Sequence, residues 1–275
     1  FEESWGGIPQ ENRWVASPWA TGSYDPELDM VYYGTGMPIP YAEITRGTGD
    51  NDVLYTNSTL AIHADTGELA WYFQHLPRDN WDLDSPFERM IVETEVDGEM
   101  RKLVVTTPGK NGITFGLDAE TGEFVWAEET IYQNVVSGID EETGRVTANT
   151  EIIPTEFGEP YTFCPAIAGG RLWQATAYSP DSELFYLPAG NTCQTIAARE
   201  MDEVSPGSAM GLIQGFGNSI APDATGIGAL HALNVSDGES AFAVQQGPRF
   251  TSSVLATGGR LLFVGDANRY VKALD

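Results

Sequence analysis

The segment RDNWDLD, residues 78–84, carries two carboxylates whose spacing suits chemistry. Asp82 and Asp84 lie two positions apart, and in an extended stretch such side chains point to the same side. Together they would face one cation, since hard cations prefer carboxylate oxygens as ligands. An ionised carboxylate is also a general base that accepts a hydroxyl proton. The alternative is a solvated surface turn, which is common on an acidic chain.

Other chemistries have little support in the sequence. The histidines His63, His75 and His231 have no spacing typical of a metal site, and we find no glycine-rich phosphate loop or Ser-His-Asp arrangement. The formal net charge of −26 repels phosphate backbones, so we predict no nucleic acid partner. This charge suits a protein that attracts cations or a basic partner, or is simply a solvated surface. No apolar run approaches the roughly 18 residues of a membrane span.

A repeated pattern indicates the elements that must position the acidic segment. Each copy has an apolar strand, an Asp or Asn, a turn that ends in Gly, and an aromatic residue four positions later. The copies are residues 60–74, 115–129 and 231–245. Asp or Asn stabilises such turns and Gly adopts positive φ, so each copy predicts a hairpin. The aromatic residues Trp71, Trp126 and Phe242 would then pack on a neighbouring layer.

Strand-rich units of this kind are typical of β-propeller blades with loop insertions. We therefore predict an all-β fold of about four blades, with residues 1–275 as a single partial propeller domain. The last strand leads into YVKALD, which aligns with the FGLD of the second copy, so we expect the domain to be truncated at both ends. A β-sandwich is the alternative, but it leaves the repeat unexplained.

Several motifs resemble those of the pyrroloquinoline quinone (PQQ)-dependent alcohol and methanol dehydrogenases. They are SPWATGSYDPELDMVYYGTG, RDNWDLD, TPGKNGITFGLD, FCP with a later Cys, and VLATGGRLLFVG. These quinoproteins have an eight-bladed propeller with tryptophan-docking repeats similar to the repeat above. The resemblance covers essentially the whole chain and matches the middle to late part of that propeller.

The resemblance implies roles for four side chains. Asp82 would be the catalytic base, taking the hydroxyl proton while hydride leaves the alcohol carbon for the quinone. Lys110, 28 residues later as in the family, would stabilise the reduced quinone oxygen; the alternative is a turn lysine before Asn-Gly. Trp19 would be the flat surface under the cofactor or an ordinary blade tryptophan. Ser17 would bond the cofactor rim.

The resemblance also implies a calcium or lanthanide ion. Asp82 and Asp84 would hold it, and the second carboxylate is typical of the lanthanide-using branch. Where the family usually has an asparagine ligand this chain has Met37, whose thioether is a poor ligand for a hard cation. Either Asp84 compensates or metal affinity is reduced; alternatively, Asp84 is a solvated carboxylate.

Further cofactor contacts depart from the family pattern. Leu172 stands where an asparagine bonds the cofactor, and a small gap in the alignment would offer Gln174 instead. Where the family often has a tryptophan facing the quinone, this chain has Phe250 or Thr251.

Cys164 and Cys193 match a disulfide of the methanol dehydrogenase branch, which implies an oxidising, periplasmic location; two free thiols are the alternative. The expected function is PQQ-dependent, metal-assisted oxidation of a small primary alcohol to an aldehyde, with electrons passed to a cytochrome c. A non-catalytic propeller scaffold and a weak cofactor binder remain alternatives. Convergence of Trp19, Asp82 and Lys110 would favour the enzyme.

Overall fold

The computed structural model describes residues 1–15, 17–200 and 213–275. These residues form strands joined by loops, with a single short α-helix. The strands are β1 (Trp14–Val15), β2 (Ser23–Asp25), β3 (Met30–Gly34), β4 (Pro38–Ile39), β5 (Ser58–His63), β6 (Leu69–Gln74), β7 (Met90–Val96), β8 (Glu99–Thr106), β9 (Ile113–Asp118), β10 (Phe124–Glu129), β11 (Val136–Ile139), β12 (Val146–Ala148), β13 (Pro160–Phe163), β14 (Ala177–Ser179), β15 (Leu184–Gly190), β16 (Thr192–Ala198), β17 (Ile213–Ile220), β18 (Gly228–Asn234), β19 (Ser240–Gln246), β20 (Leu255–Ala256), β21 (Leu262–Gly265) and β22 (Val271–Leu274). The helices are α1 (Glu43–Arg46) and the 3₁₀ turns Glu2–Trp5, Gln10–Asn12 and Thr150–Ile152.

Four antiparallel sheets follow one another along the chain. Their strand orders are β2-β3-β5-β6, β7-β8-β9-β10, β14-β15-β18-β19 and β20-β21-β22. The strand at the start of each repeat copy is the third strand of its sheet, and the repeated turn joins the last two strands of the first three sheets. The all-β prediction and the division into about four strand-rich units are therefore confirmed.

The remaining strands are insertions between or within these sheets. β1 pairs with β4 and β11 with β12, while β13, β16 and β17 form a sheet that interrupts the third unit. Cys164 directly follows β13 and Cys193 lies on β16, its antiparallel neighbour. The predicted disulfide between these two cysteines is present, and it ties the insertion together at its base.

The repeated tryptophans join one sheet to the next. Trp71 donates its indole N–H to a backbone carbonyl of the second sheet at 3.1 Å, and Trp126 does the same to the third at 3.1 Å. Their rings pack on Gly122 and Gly238 of the following turns, where a Cβ would lie 2.6 and 2.4 Å from ring atoms. These turns therefore need Gly for close approach as well as for positive φ.

The third aromatic residue of the repeat behaves differently from the prediction. Phe242 contacts Tyr186 of its own sheet, with ring centroids 6.3 Å apart, and it is 37% exposed. It borders one cavity together with Ala256 and Leu262 of the fourth sheet, and no described glycine packs on its ring as Gly122 and Gly238 do on the two tryptophans.

The largest apolar core includes side chains of the first two sheets and the connection between them. Met37, Trp81 and Leu83 are buried in this core, which places the acidic segment against packed side chains. In the described part of the chain, no helix has the length and apolar character needed to cross a membrane.

Candidate active site

The acidic segment is a buried connection between β6 and β7. Residues 79–87 are all buried, so the alternative of a solvated surface turn is wrong. Trp81 and Leu83 pack into the core, whereas Asp82 and Asp84 both contact one ammonium group outside it. Both carboxylates therefore face one point, as predicted, although the segment is not a regular strand, because Asp82 has a φ of +59°.

That ammonium group belongs to Lys110, in the loop between β8 and β9. Its Nζ lies 2.8 Å from Asp82 Oδ1 and 2.9 Å from Asp84 Oδ2, and it donates to the Asp82 carbonyl at 2.9 Å. The three side chains are 5%, 3% and 6% exposed, in the order Lys110, Asp82, Asp84. Lys110 is therefore the buried counter-ion of the pair and not a solvated turn lysine.

Burial and charge set the protonation of this cluster. Burial raises the pKa of Asp82 to about 7, against the opposing attraction of Lys110. Burial alone would lower the pKa of Lys110, but the two carboxylates outweigh it, and its pKa lies above the usual value. Asp82 is thus a carboxylate with a pKa near neutrality beside a permanent cation, which is the range that suits a general base.

Asp79, which we did not single out from the sequence, fixes the backbone around Asp82. Its carboxylate accepts hydrogen bonds from the N–H groups of Trp81 and Leu83, each at 2.8 Å. The signal was present in the sequence, because Asp side chains often accept from the backbone two residues on. It was indistinguishable there from the other acidic turns of the chain.

Trp19 contacts the C-terminal end of this buried connection through the ring of Phe87. It is 45% exposed, and its ring meets Phe87 edge to face, with centroids 5.2 Å apart. The Phe87 N–H donates to the carbonyl of Pro108 at 3.1 Å, two residues before Lys110. Arg171 lies over the same Phe87 ring at 4.8 Å. Trp19 is thus linked to the loop of Lys110 through Phe87, and its indole has an exposed surface.

The other predicted cofactor contacts are distributed more widely. Ser17 is exposed two residues before Trp19, and Gln174 is buried with its backbone carbonyl 3.5 Å from an Arg171 nitrogen. Gly170 donates its N–H to the Lys110 carbonyl at 2.7 Å, which brings the segment carrying Leu172 and Gln174 beside Lys110.

Phe250 is not brought to this cluster by any contact among the described residues. It is buried in a separate apolar core formed by the third and fourth sheets, with a bridge to Asp266. Thr251 is exposed. The preference of an aromatic ring for apolar packing accounts for the position of Phe250.

Of the side chains predicted to bind a metal, only the carboxylates of Asp82 and Asp84 are suitable ligands for a hard cation. Asp82 and Asp84 direct oxygens to one point, which Lys110 occupies. The Met37 side chain lies in the apolar core, and only its N–H reaches the site, donating to Asp84 Oδ1 at 2.9 Å. Its thioether is therefore not placed as a ligand. Over the described ranges, no group of three or more His, Cys, Asp or Glu residues is arranged to hold a metal.

The sequence is similar to one protein family and to several known dehydrogenases. The profile of the PQQ family, described as glucose/ethanol/alcohol dehydrogenase, beta-propeller domain, matches residues 2–158. The dehydrogenase subunit of alcohol dehydrogenase (quinone) from Acetobacter aceti is 33% identical over 290 residues, covering 99% of this chain and 38% of that protein. Lupanine 17-hydroxylase [cytochrome c] from a Pseudomonas species is 30% identical over 263 residues, covering 94% and 36%.

A solved structure supports the same relationship. Europium-containing methanol dehydrogenase superposes with a TM-score of 0.84 at 27% identity, covering 94% of this chain and 44% of that one. The predicted partial propeller is thereby confirmed. The chain spans less than half the length of each of these relatives.

Proposed function

The chain belongs to the family of PQQ-dependent alcohol and methanol dehydrogenases, and we propose that the whole protein oxidises a primary alcohol to an aldehyde with PQQ. The observation that carries the proposal is the buried contact of 2.8 Å between Lys110 Nζ and Asp82 Oδ1. A buried carboxylate whose pKa is near neutrality, next to a cation, suits proton abstraction, and the exposed indole of Trp19 suits stacking on a flat cofactor.

In this proposal each side chain has one task. PQQ, when bound, supplies the quinone that accepts hydride from the alcohol carbon. Asp82 takes the hydroxyl proton at its carboxylate. Lys110 orients that carboxylate and keeps a positive charge where negative charge develops on a nearby oxygen. Trp19 offers the stacking surface, and Ser17 and Gln174 are the proposed polar contacts of the cofactor.

We further propose a calcium or lanthanide ion held by Asp82 and Asp84. Two adjacent carboxylates favour a trivalent ion, because hard anionic oxygens match its charge, and the europium in the similar methanol dehydrogenase supports this choice. The proposed electron acceptor is a cytochrome c, as the name of the lupanine hydroxylase states for that protein. The disulfide supports a periplasmic location.

The test is reconstitution of the full-length protein with PQQ and either calcium or lanthanum, followed by alcohol-dependent dye reduction. Asp82→Asn removes the base while keeping its shape, and we expect a loss of at least about 100-fold in kcat, the usual contribution of a general base. Trp19→Leu should weaken PQQ binding while leaving the base in place. Full activity of Asp82→Asn would show that the base is misassigned.

A weak PQQ binder is the second candidate, because the Met37 thioether is packed in the core and Leu172 supplies no polar contact. Titration of the full-length protein with PQQ, followed by absorbance, separates the two. Micromolar or tighter binding with turnover supports the enzyme, and weak binding without turnover supports the alternative.

A further inference from the structure

We propose that Asp79 is a positioning residue for Asp82, holding the backbone on both sides of the proposed base. This inference rests on the proposed function, in which Asp82 abstracts the proton. We call Asp79, its bonds to Trp81 and Leu83, and the neighbouring Asn57 the Asp79 clamp.

The clamp is made of short, buried hydrogen bonds. Asp79 Oδ1 accepts from the Trp81 N–H at 2.8 Å, and Oδ2 accepts from the Leu83 N–H at 2.8 Å. Asn57 Nδ2 donates to Asp79 Oδ2 at 3.0 Å and to the Leu83 carbonyl at 3.1 Å. The N–H groups of the two residues that flank Asp82 are therefore fixed by one carboxylate, and the N–H and carbonyl of Leu83 are both engaged.

The conformation of Asp82 requires such a constraint. Its φ is +59°, a left-handed conformation that a residue with a Cβ rarely adopts. In this conformation its carboxylate and its carbonyl both contact Lys110 Nζ, at 2.8 and 2.9 Å. Relaxation of φ to the ordinary region would rotate the side chain relative to the backbone, so these two contacts would not persist together.

A buried carboxylate is costly unless its environment compensates it. Asp79 is fully buried, and none of the ion pairs in the described residues involves its side chain. Burial raises the pKa of Asp79, and the three N–H donors of the clamp oppose this shift because they stabilise the carboxylate form. The hydrogen-bond partners of this buried side chain are the segment of the proposed base and Asn57.

The amide of an asparagine cannot replace this carboxylate. Asp79→Asn leaves one acceptor oxygen for donors that approach two different oxygens, so at least one N–H faces an NH2 group. We expect the Asp82 segment to relax and kcat to fall about 10-fold, because small misplacements of a catalytic group have effects of this size. Asp79→Ala should reduce kcat about 100-fold. The alcohol KM and the Kd for PQQ should change less than about twofold, because neither ligand is expected to contact Asp79.

The control is Asp25→Asn. Asp25 is also buried and accepts two backbone N–H groups, from Glu27 at 2.8 Å and Leu28 at 3.2 Å, but it is the last residue of β2, in another part of the fold. The control should lose stability without loss of kcat. Asn57→Ala removes one donor of the clamp and is a milder variant in case Asp79→Ala does not fold; we expect it to lower kcat about threefold.

Two measurements on the full-length holoenzyme decide the inference. In the Asp82→Ala background, Asp79→Asn should cause no further loss of residual kcat, since a positioning residue acts only through its partner. A further 10-fold loss there would overturn the positioning role. In addition, a crystal structure of Asp79→Asn should show Asp82 outside the left-handed region and its carboxylate no longer within hydrogen-bond distance of Lys110.

An unchanged Asp82 conformation in that crystal structure would also overturn the inference. Failure of the wild-type protein to oxidise alcohols with PQQ would count against the proposed function, whereas the crystallographic comparison would still decide whether Asp79 holds Asp82.

Discussion

Removal of the Lys110 cation should destabilise the folded protein strongly. Lys110→Met keeps most of the side-chain volume but leaves Asp82 and Asp84 buried without their shared counter-ion, which now lies 2.8 and 2.9 Å from their oxygens. Loss of one partner of a buried ion pair typically costs about 3–5 kcal/mol. Because two carboxylates lose the same partner, we expect the free energy of unfolding to fall by at least the lower of these values.

The assay is equilibrium urea unfolding of the metal-free, full-length protein, with Lys102→Met as the control. Lys102 also contacts several carboxylates, including Asp25 at 3.0 Å, but it lies at the surface, where solvent screens such pairs. Its replacement should cost only a small part of the Lys110→Met loss.

Lanthanum should restore more stability to Lys110→Met than to the wild-type protein, because the ion replaces the missing charge between the two carboxylates. Equal losses in Lys110→Met and Lys102→Met would refute the assignment of Lys110 as a buried counter-ion. Absence of any stabilisation of either protein by lanthanum would refute the joint ligand role of the two carboxylates.

Three further predictions concern stability. Gly122→Ala should lower the unfolding free energy by about 1–3 kcal/mol and be visible as a lower Tm, because its φ is +75° and the Trp71 ring lies 2.6 Å from the new Cβ; an unchanged Tm would contradict the docking. Burial lowers the pKa of His231 from 6.5 to about 4, so the unfolded chain takes up this proton first and stability is lost as the pH falls through that range. Between pH 7 and pH 5, the unfolding free energy of the wild type should fall by about 2 kcal/mol more than that of His231→Gln, measured by urea unfolding. Replacing Cys164 and Cys193 with Ser should cost about 3 kcal/mol, measured the same way, and no change would show that the disulfide is dispensable.

Much of the fold was predictable because it depends on local patterns. The Gly of each repeated turn and the aromatic residue four positions later predict hairpins from nearest-neighbour chemistry, and the packing of Trp71 and Trp126 on the next sheet follows. Among the described residues, the Phe242 ring contacts Tyr186 of its own sheet and no turn glycine. The burial of Phe250 depends on which two sheets meet around it, so the sequence did not predict that burial.

At the site, the order of residues in RDNWDLD was enough to predict that Asp82 and Asp84 act together. The left-handed backbone at Asp82, the burial of the segment, the approach of Lys110 from a loop 28 residues later and the bonds of Asp79 to the backbone are visible only in the folded chain. Burial turns an ordinary aspartate into one with a pKa near 7, and burial is a property of everything packed around a residue. The physical reason is that desolvation and contact depend on distances between segments far apart in the chain.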